Sequence, residues 1–485
     1  MFRLPESHHC PARLLLLLIA LTSLTVFSAA QTEPLTAAGQ TIERTLQGGA
    51  THVVQVLLTT GQFLCVAVEQ RGIDVELKLA DSTNQTRIET DALNSTQGPE
   101  IGAFLATHTG LHRIEIVAPN QAAPAGSYEL KILALRPATD QDRQWLTAQQ
   151  FYLAGKQLSA QSTAAAQEQA AQKFADALRI WQVLEDRLMV AHTLYYLVDV
   201  YRDLGQTQHA LVYSGYALEL LRALKQPREE AAALTTLANV YSELGELRKA
   251  RACYEQSLQQ WQAFQDTVGT ARTLLNLGLV NTQLGDVRVA LDNYNRALVV
   301  WQQLGNRFQA AETLTRLGLA YDSLGEWQKA LEHETQALSL YRTLNNKRGE
   351  AIALNNVGLI YGRLGETPKA LVYYTQSLAL WRTLGNRREE ANTLSNLGLA
   401  EAQQNNAAAA LAAYQLSLKL WREAGDRRGE ALVLQRLGEL QAQTNDAVTA
   451  LLFYEQALPL LRTAGDQVRE ASVLLSIANL HLAQG

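Results

Sequence analysis

The twenty residues DSLGEWQKALEHETQALSLY, from Asp322 to Tyr341, return forty residues later as GRLGETPKALVYYTQSLALW, from Gly362 to Trp381. Leu, Gly, Lys-Ala-Leu and a terminal aromatic keep their register while the letters between them change. Fixed spacings mark a packed face, and free ones a face turned to water or to a partner. Laid out in blocks of forty from Ala191, the chain has alanine at position 1 of all eight blocks (Ala191, Ala231, Ala271, Ala311, Ala351, Ala391, Ala431, Ala471). Position 4 is leucine throughout, from Leu194 to Leu474, and position 8 is mostly glycine (Gly278, Gly318, Gly358, Gly398, Gly438). Position 11 is often tyrosine, position 20 is alanine in every complete block, and position 24 is usually tyrosine (Tyr254, Tyr294, Tyr374, Tyr414, Tyr454). Position 27 is Ala or Ser, 28 is Leu and 31 is usually Trp.

At 3.6 residues per turn, positions 1, 4, 8 and 11 share one stripe of a first helix, and 20, 24, 27, 28 and 31 one stripe of a second. Glycine at position 15 (Gly205, Gly245, Gly285, Gly325, Gly365) suits the left-handed turn that ends a helix, and Asn405 and Asn445 replace it in two later blocks. Each block is therefore expected to be a helical hairpin. The order L-x2-L-G-x2-Y, A-x3-Y-x2-A resembles the tetratricopeptide repeat. The period here is forty rather than 34, and the six extra residues add up to about 9 Å of helix. Block ends such as GNRREE and GDRRGE resemble the long-helix repeats of kinesin light chains and cell-polarity adaptors. The resemblance implies an α-solenoid, a tetratricopeptide-repeat superhelix, over residues 191–485 with the last repeat incomplete. A divergent first repeat is expected in 140–190, where Ala170, Phe174, Ala177, Leu178 and Trp181 keep the second-helix register.

Residues 33–137 read differently. Apolar letters alternate in HVVQVLLT (His52 to Thr59), FLCVAVE (Phe63 to Glu69), VELKLAD (Val75 to Asp81), LHRIEIV (Leu111 to Val117) and SYELKILAL (Ser127 to Leu135), with turn letters between them. A small antiparallel β-sandwich of seven or eight strands, ending at Pro137, is expected. With GQTIERTLQGG (Gly39 to Gly49), EQRGIDVELKL (Glu69 to Leu79) and GSYELKI (Gly126 to Ile132), this segment resembles the bacterial pre-peptidase C-terminal domain of exported proteins. Ahead of it, Arg3 and Arg13 precede an apolar run from Leu14 to Phe27 and the small residues Ser28-Ala29-Ala30. That order reads as a signal peptide over 1–30, cut after Ala30, and so as a periplasmic or secreted protein. The alternative is an uncleaved anchor, although the run is shorter than the roughly 20 residues a bilayer span takes.

Forty-two Lys plus Arg against 47 Asp plus Glu give a net charge of −5, which offers no basic surface for nucleic acid. After signal removal only Cys65 and Cys253 remain, too few for a disulfide framework. Neither a G-x-S-x-G, a phosphate loop, an H-E-x-x-H nor a C-x-x-C occurs, the histidines are scattered, and no cofactor or catalytic residue is assigned.

In repeats of this kind the first helices line a concave groove, to which positions 2, 5, 6, 9, 12 and 13 contribute. Those columns nominate Arg272, Asn276, Arg316, Asn355, Asn356, Arg363, Asn392, Asn396 and Arg436 as contacts for a protein or peptide ligand. Amides can pair with an extended backbone, and arginines with carboxylates. The plain alternative is a wet polar helix face. Position 9 holds Leu279, Leu319, Leu359 and Leu399, an apolar stripe either for a partner or for packing between repeats. A signal, a sandwich and forty-residue repeats in that order also resemble exported proteins that continue into a CHAT domain, a caspase-like peptidase. The second reading is accordingly the recognition arm of such a peptidase, with the expectation that the chain stops short of it. None of that family's catalytic motifs falls on a residue of this sequence.

Overall fold

The computed structural model describes residues 35–484 apart from 36, 84, 91–96, 122 and 162, so the signal peptide lies outside the described residues. The chain divides into two compact units, residues 1–153 and 154–485.

In the first unit, β1 (Thr41–Leu46), β8 (Gly126–Pro137), β3 (Gln62–Arg71) and β6 (Gln97–Leu105) form one sheet in that order. The second sheet runs β2 (Thr51–Leu58), β7 (Gly110–Val117), β4 (Glu76–Ala80), β5 (Thr86–Thr90), and every pairing is antiparallel. Alternate residues point inward, so Val54, Val56, Leu58, Ile114 and Ile116 of one sheet close on Leu64, Val66, Val68, Leu130 and Ile132 of the other. The β6 segment QGPEIGAFL escapes the alternation rule because Gly98, Pro99 and Gly102 interrupt it. Being an edge strand, it tolerates a proline. Gly102 is required, since a β-carbon there would sit 2.9 Å from Leu77 of the facing sheet.

The last strand ends at Pro137, and the compact unit continues beyond it. Leu146 and Leu153 of α1 (Asp140–Ser159) pack against the sandwich core, and Arg136 grips Asp142 at 2.5 and 2.9 Å. Burial alone would raise the Asp142 carboxyl, but Arg136 and the N–H and hydroxyl of Thr139 outweigh it and hold it at about 2.

The second unit holds paired helices. After α2 (Ala164–Val183) come α3 (Arg187–Asp203), α4 (Thr207–Ala223), α5 (Pro227–Glu243), α6 (Leu247–Ala263), α7 (Thr267–Gln283), α8 (Val287–Gln303), α9 (Arg307–Ser323) and α10 (Trp327–Thr343). There follow α11 (Lys347–Arg363), α12 (Thr367–Leu384), α13 (Arg387–Gln403), α14 (Ala407–Glu423), α15 (Arg427–Gln443), α16 (Ala447–Ala464) and α17 (Gln467–Gln484). Position 15 is left-handed in each complete block, with φ of 71 to 85° at the five glycines and 57 and 61° at Asn405 and Asn445. The block ends have a definite job. Asp186, Asp266, Asn306, Asn346, Asn386, Asp426 and Asp466, all at position 36, cap the next first helix by accepting a hydrogen bond from the N–H three residues on. Position 32 arginines then pair across the connection with position 40 glutamates, as in Arg342–Glu350 at 3.0 Å, Arg382–Glu390 at 2.9 Å and Arg422–Glu430 at 2.7 Å. The W-R-x-L-G-N-R-R-E-E letters thus encode a capped, ion-paired joint.

Inside a hairpin, position 8 meets position 24. A β-carbon on Gly358 would lie 2.8 Å from the Tyr374 ring, and closer still at Gly278, Gly398 and Gly438 against their tyrosines. In the block from Ala191 the bulk is exchanged: Val198 holds position 8 and Ser214 position 24, both buried. At position 27, Ser257, Ser377 and Ser417 donate to the carbonyls of Ala231, Ala351 and Ala391 at 2.7–2.8 Å, a contact that only a small side chain allows. Successive first helices (α3, α5, α7, and so on to α17) come within 8 Å of one another, and no consecutive pair of second helices does so to the same degree. The array therefore curves with its first helices on the inner, concave side. No described helix is long and apolar enough to cross a membrane.

Gly278→Val should destabilise the array by about 1–3 kcal/mol through overpacking against Tyr294. Adding Tyr294→Ser should recover part of that loss, copying the Val198–Ser214 exchange. A double-mutant cycle in urea checks the sign of the coupling, and purely additive effects would contradict the pairing.

Candidate functional site

The concave wall is built from the sides of α7, α9, α11, α13 and α15 that face away from their second helices. Arg272 on α7, Arg316 on α9 and Arg363 on α11 are exposed, and Asn392 on α13 is half-buried. None of the four has a bonded partner among the described residues. These are the nominated side chains left unbonded.

The other nominees are committed. Asn276 donates to Asn239 of α5 at 3.5 Å, and Asn396 to Asn355 of α11 at 3.2 Å. Arg436 donates at 2.7 Å to both the carbonyl and the hydroxyl of Ser395 on α13. Its burial lowers the guanidinium from the usual arginine value, with Arg469 adding to the effect. These position-6 groups tie one first helix to the one before it, although Asn276, Asn355, Asn396 and Arg436 stay half-buried and keep an edge toward the groove. Arg202 of α3 does the same at the other end, bonding Asp199 at 2.8 Å and Glu243 of α5 at 2.5 and 2.9 Å.

Asn356 is withdrawn from the candidate set. It is buried, and its amide donates at 2.9 Å to Glu334 of α10. The cause is a departure in the preceding repeat: position 24 of the block from Ala311 is Glu334 rather than tyrosine, a shorter side chain whose carboxyl accepts what the groove column of the next block supplies. The signal was in the column. Glu334 is fully buried beside Gly318, and its second oxygen has no hydrogen-bond partner.

The position-9 leucines are not absorbed into packing. Leu319 is 40% exposed, Leu279, Leu359 and Leu399 are half-buried, and all four stand outside the core clusters of their repeats. At the turn end of the hairpins the aromatic column works differently. Tyr241, Tyr321 and Tyr361 receive the ammonium groups of Lys249, Lys329 and Lys369 at 5.1–5.3 Å from the ring centre. Those lysines also reach Glu246, Glu326 and Glu366, so the recurring Glu-x-x-Lys is a hairpin clasp. Among the described residues, no three His, Cys, Asp or Glu side chains come together to hold a metal.

The tetratricopeptide repeat model matches residues 229–298, 269–343, 349–423 and 389–463, and the helical unit is a tetratricopeptide-repeat solenoid. BtubC from P. vanneervenii is 18% identical, covering 45% of this chain and 92% of its own, with a TM-score of 0.41. The apo quorum sensor NprR from B. thuringiensis is 15% identical over 65% of this chain and 92% of its own, with a TM-score of 0.49. A tetratricopeptide repeat protein from Parabacteroides merdae is 17% identical over 56% of this chain and 93% of its own, with a TM-score of 0.42. No curated protein matches the chain.

Replacing Arg272, Arg316 or Arg363 by Ala should leave stability within about 0.5 kcal/mol, since each is exposed and unbonded. Arg436→Ala should cost about 1–3 kcal/mol because two hydrogen bonds to Ser395 are lost in a half-buried site. Chemical denaturation followed by circular dichroism separates the two classes, and equal losses would refute the assignment.

Proposed function

We propose that the concave face binds an extended peptide, or an extended segment of a partner protein, and that the protein acts as a non-catalytic scaffold. The observation that carries this reading is the stripe of Leu279, Leu319, Leu359 and Leu399, one from each of four consecutive first helices, left outside the packed core on the inner side of the curve. Beside it, Arg272, Arg316 and Arg363 offer unpaired guanidinium groups to carboxylates, and Asn355, Asn392 and Asn396 offer amides to a backbone. With first helices spaced about 8–10 Å apart, four leucines span about 25–30 Å, the reach of roughly eight or nine extended residues.

The scaffold works outside the cytoplasm in this reading, on the strength of the Leu14–Phe27 run and Ser28-Ala29-Ala30. Sequencing the N-terminus of protein recovered from its host should give Gln31 as the first residue.

Peptides selected from a random displayed library should bind the purified chain by fluorescence polarisation. Leu319→Gln with Leu359→Gln should weaken them about tenfold or more while the far-ultraviolet spectrum stays unchanged. Failure to select any peptide, or binding indifferent to the double substitution, would remove the groove reading.

A further inference from the structure

Glu334 breaks the repeat in a way that carries a consequence of its own, one that stands on the fold and not on the peptide reading. Five blocks place tyrosine at position 24, and this one places a carboxyl, fully buried where α10 meets α9 and α11. One oxygen accepts from Asn356 at 2.9 Å, and the other has no partner. The groups around it do not offset that burial. From α9 comes Asp322, itself with a buried oxygen lacking a partner, and, around the Tyr341 ring, Glu312 and Arg316. Its own helix adds Tyr341 and, at the adjacent position, His333, which stacks on Tyr321 at 5.3 Å. From α11 comes the uncharged Asn356 amide, and among the described residues no cation forms a salt bridge with Glu334. Burial pushes this carboxyl well above the usual carboxylate range, and Asp322 adds to the rise against the opposing Asn356 bond.

The position of Glu334 in the array matters as much as its burial. No side-chain hydrogen bond among the described residues joins α7 to α9 or α9 to α11, whereas α3–α5, α5–α7, α11–α13 and α13–α15 each have one. Across this joint the Glu334–Asn356 bond runs from second helix to first in place of a tie between first helices.

We propose that Glu334 is a proton-operated latch between α10 and α11: protonated, it holds the joint closed, and on losing its proton to solvent it opens the array locally at the middle of the groove. The direction follows from the acid's two environments. Stability from the buried neutral form is complete below the ordinary glutamate value of 4.5 and is lost as pH rises toward the raised folded-state value. Each proton released on opening makes the opening equilibrium grow by up to about tenfold per pH unit across that window.

Hydrogen exchange read by mass spectrometry on the full chain tests this. After correction for intrinsic base catalysis, α10 and α11 should lose protection progressively as pH rises above the ordinary glutamate value of 4.5, by up to about tenfold per unit relative to α13 and α14. Glu334→Gln keeps an acceptor for Asn356 and cannot ionise, so it should abolish that difference. Should the glutamine variant not fold, Glu334→Tyr restores the residue for which a position-8 glycine elsewhere makes room. His333 is retained in both variants, so a histidine-driven change would survive in them. Equal pH dependence in the wild type and in whichever variant folds would overturn the latch.

Discussion

A helix pair with about seventeen residues a side cannot hide its own apolar stripe, and everything else in the helical unit follows from that. Positions 1, 4, 8 and 11 of a first helix and 20, 24, 27 and 31 of a second close on each other, but the back of each second helix stays apolar until the next first helix covers it. The glycine-to-tyrosine contact between positions 8 and 24 sets how closely the two halves approach. The serine-to-carbonyl bonds of position 27 set their axial register. Bulk can sit on either helix, as Val198 with Ser214 demonstrates.

Because each hairpin touches only its neighbours, stability is a chain of local terms, and a departure in one block is felt there and not averaged over the whole. This is why a single glutamate in place of a tyrosine can define a weak joint. In a globular core of the same size, surrounding layers would share its cost. Here α9, α10 and α11 answer it, and among the described residues they supply one hydrogen bond, from the Asn356 amide.

Repetition made the fold legible. Alanine at position 1 in every block and leucine at position 4 fix two faces of a helix without any knowledge of coordinates, and the left-handed glycines of position 15 mark its end. The sandwich was legible where β-branched residues alternate over a long run, as in β2 and β7, and not in β6, where glycine and proline interrupt the alternation, or in the five-residue β5, whose single large apolar residue is Ile88. The groove was half legible. Columns place residues on a face but say nothing of their partners, so Asn356 and Arg436 were nominated beside Arg272 and Arg363 although the first is buried and the second is spent on Ser395. Nothing in the column for position 6 announces that a side chain will reach the preceding helix, because the acceptor, as for Asn396, lies 41 residues away in a neighbouring block.

The distribution of those ties is itself informative. Bonds between first helices occur on either side of the middle of the array, through Arg202 and Glu243 on one side and through Asn396, Asn355, Arg436 and Ser395 on the other. The middle, from α7 through α11, lacks them and instead carries Leu279, Leu319 and Leu359 with Arg272, Arg316 and Arg363 unbonded. Rigid flanks lower the ordering cost that any ligand must meet, while an unstapled middle leaves side chains whose hydrogen-bonding capacity and apolar area are still unspent. On the proposed reading, a groove organised in this way would place its affinity where its own structure is least self-satisfied. The buried acid at α10 lies under that same stretch, so the segment best equipped to bind is also the one whose closure depends on a proton.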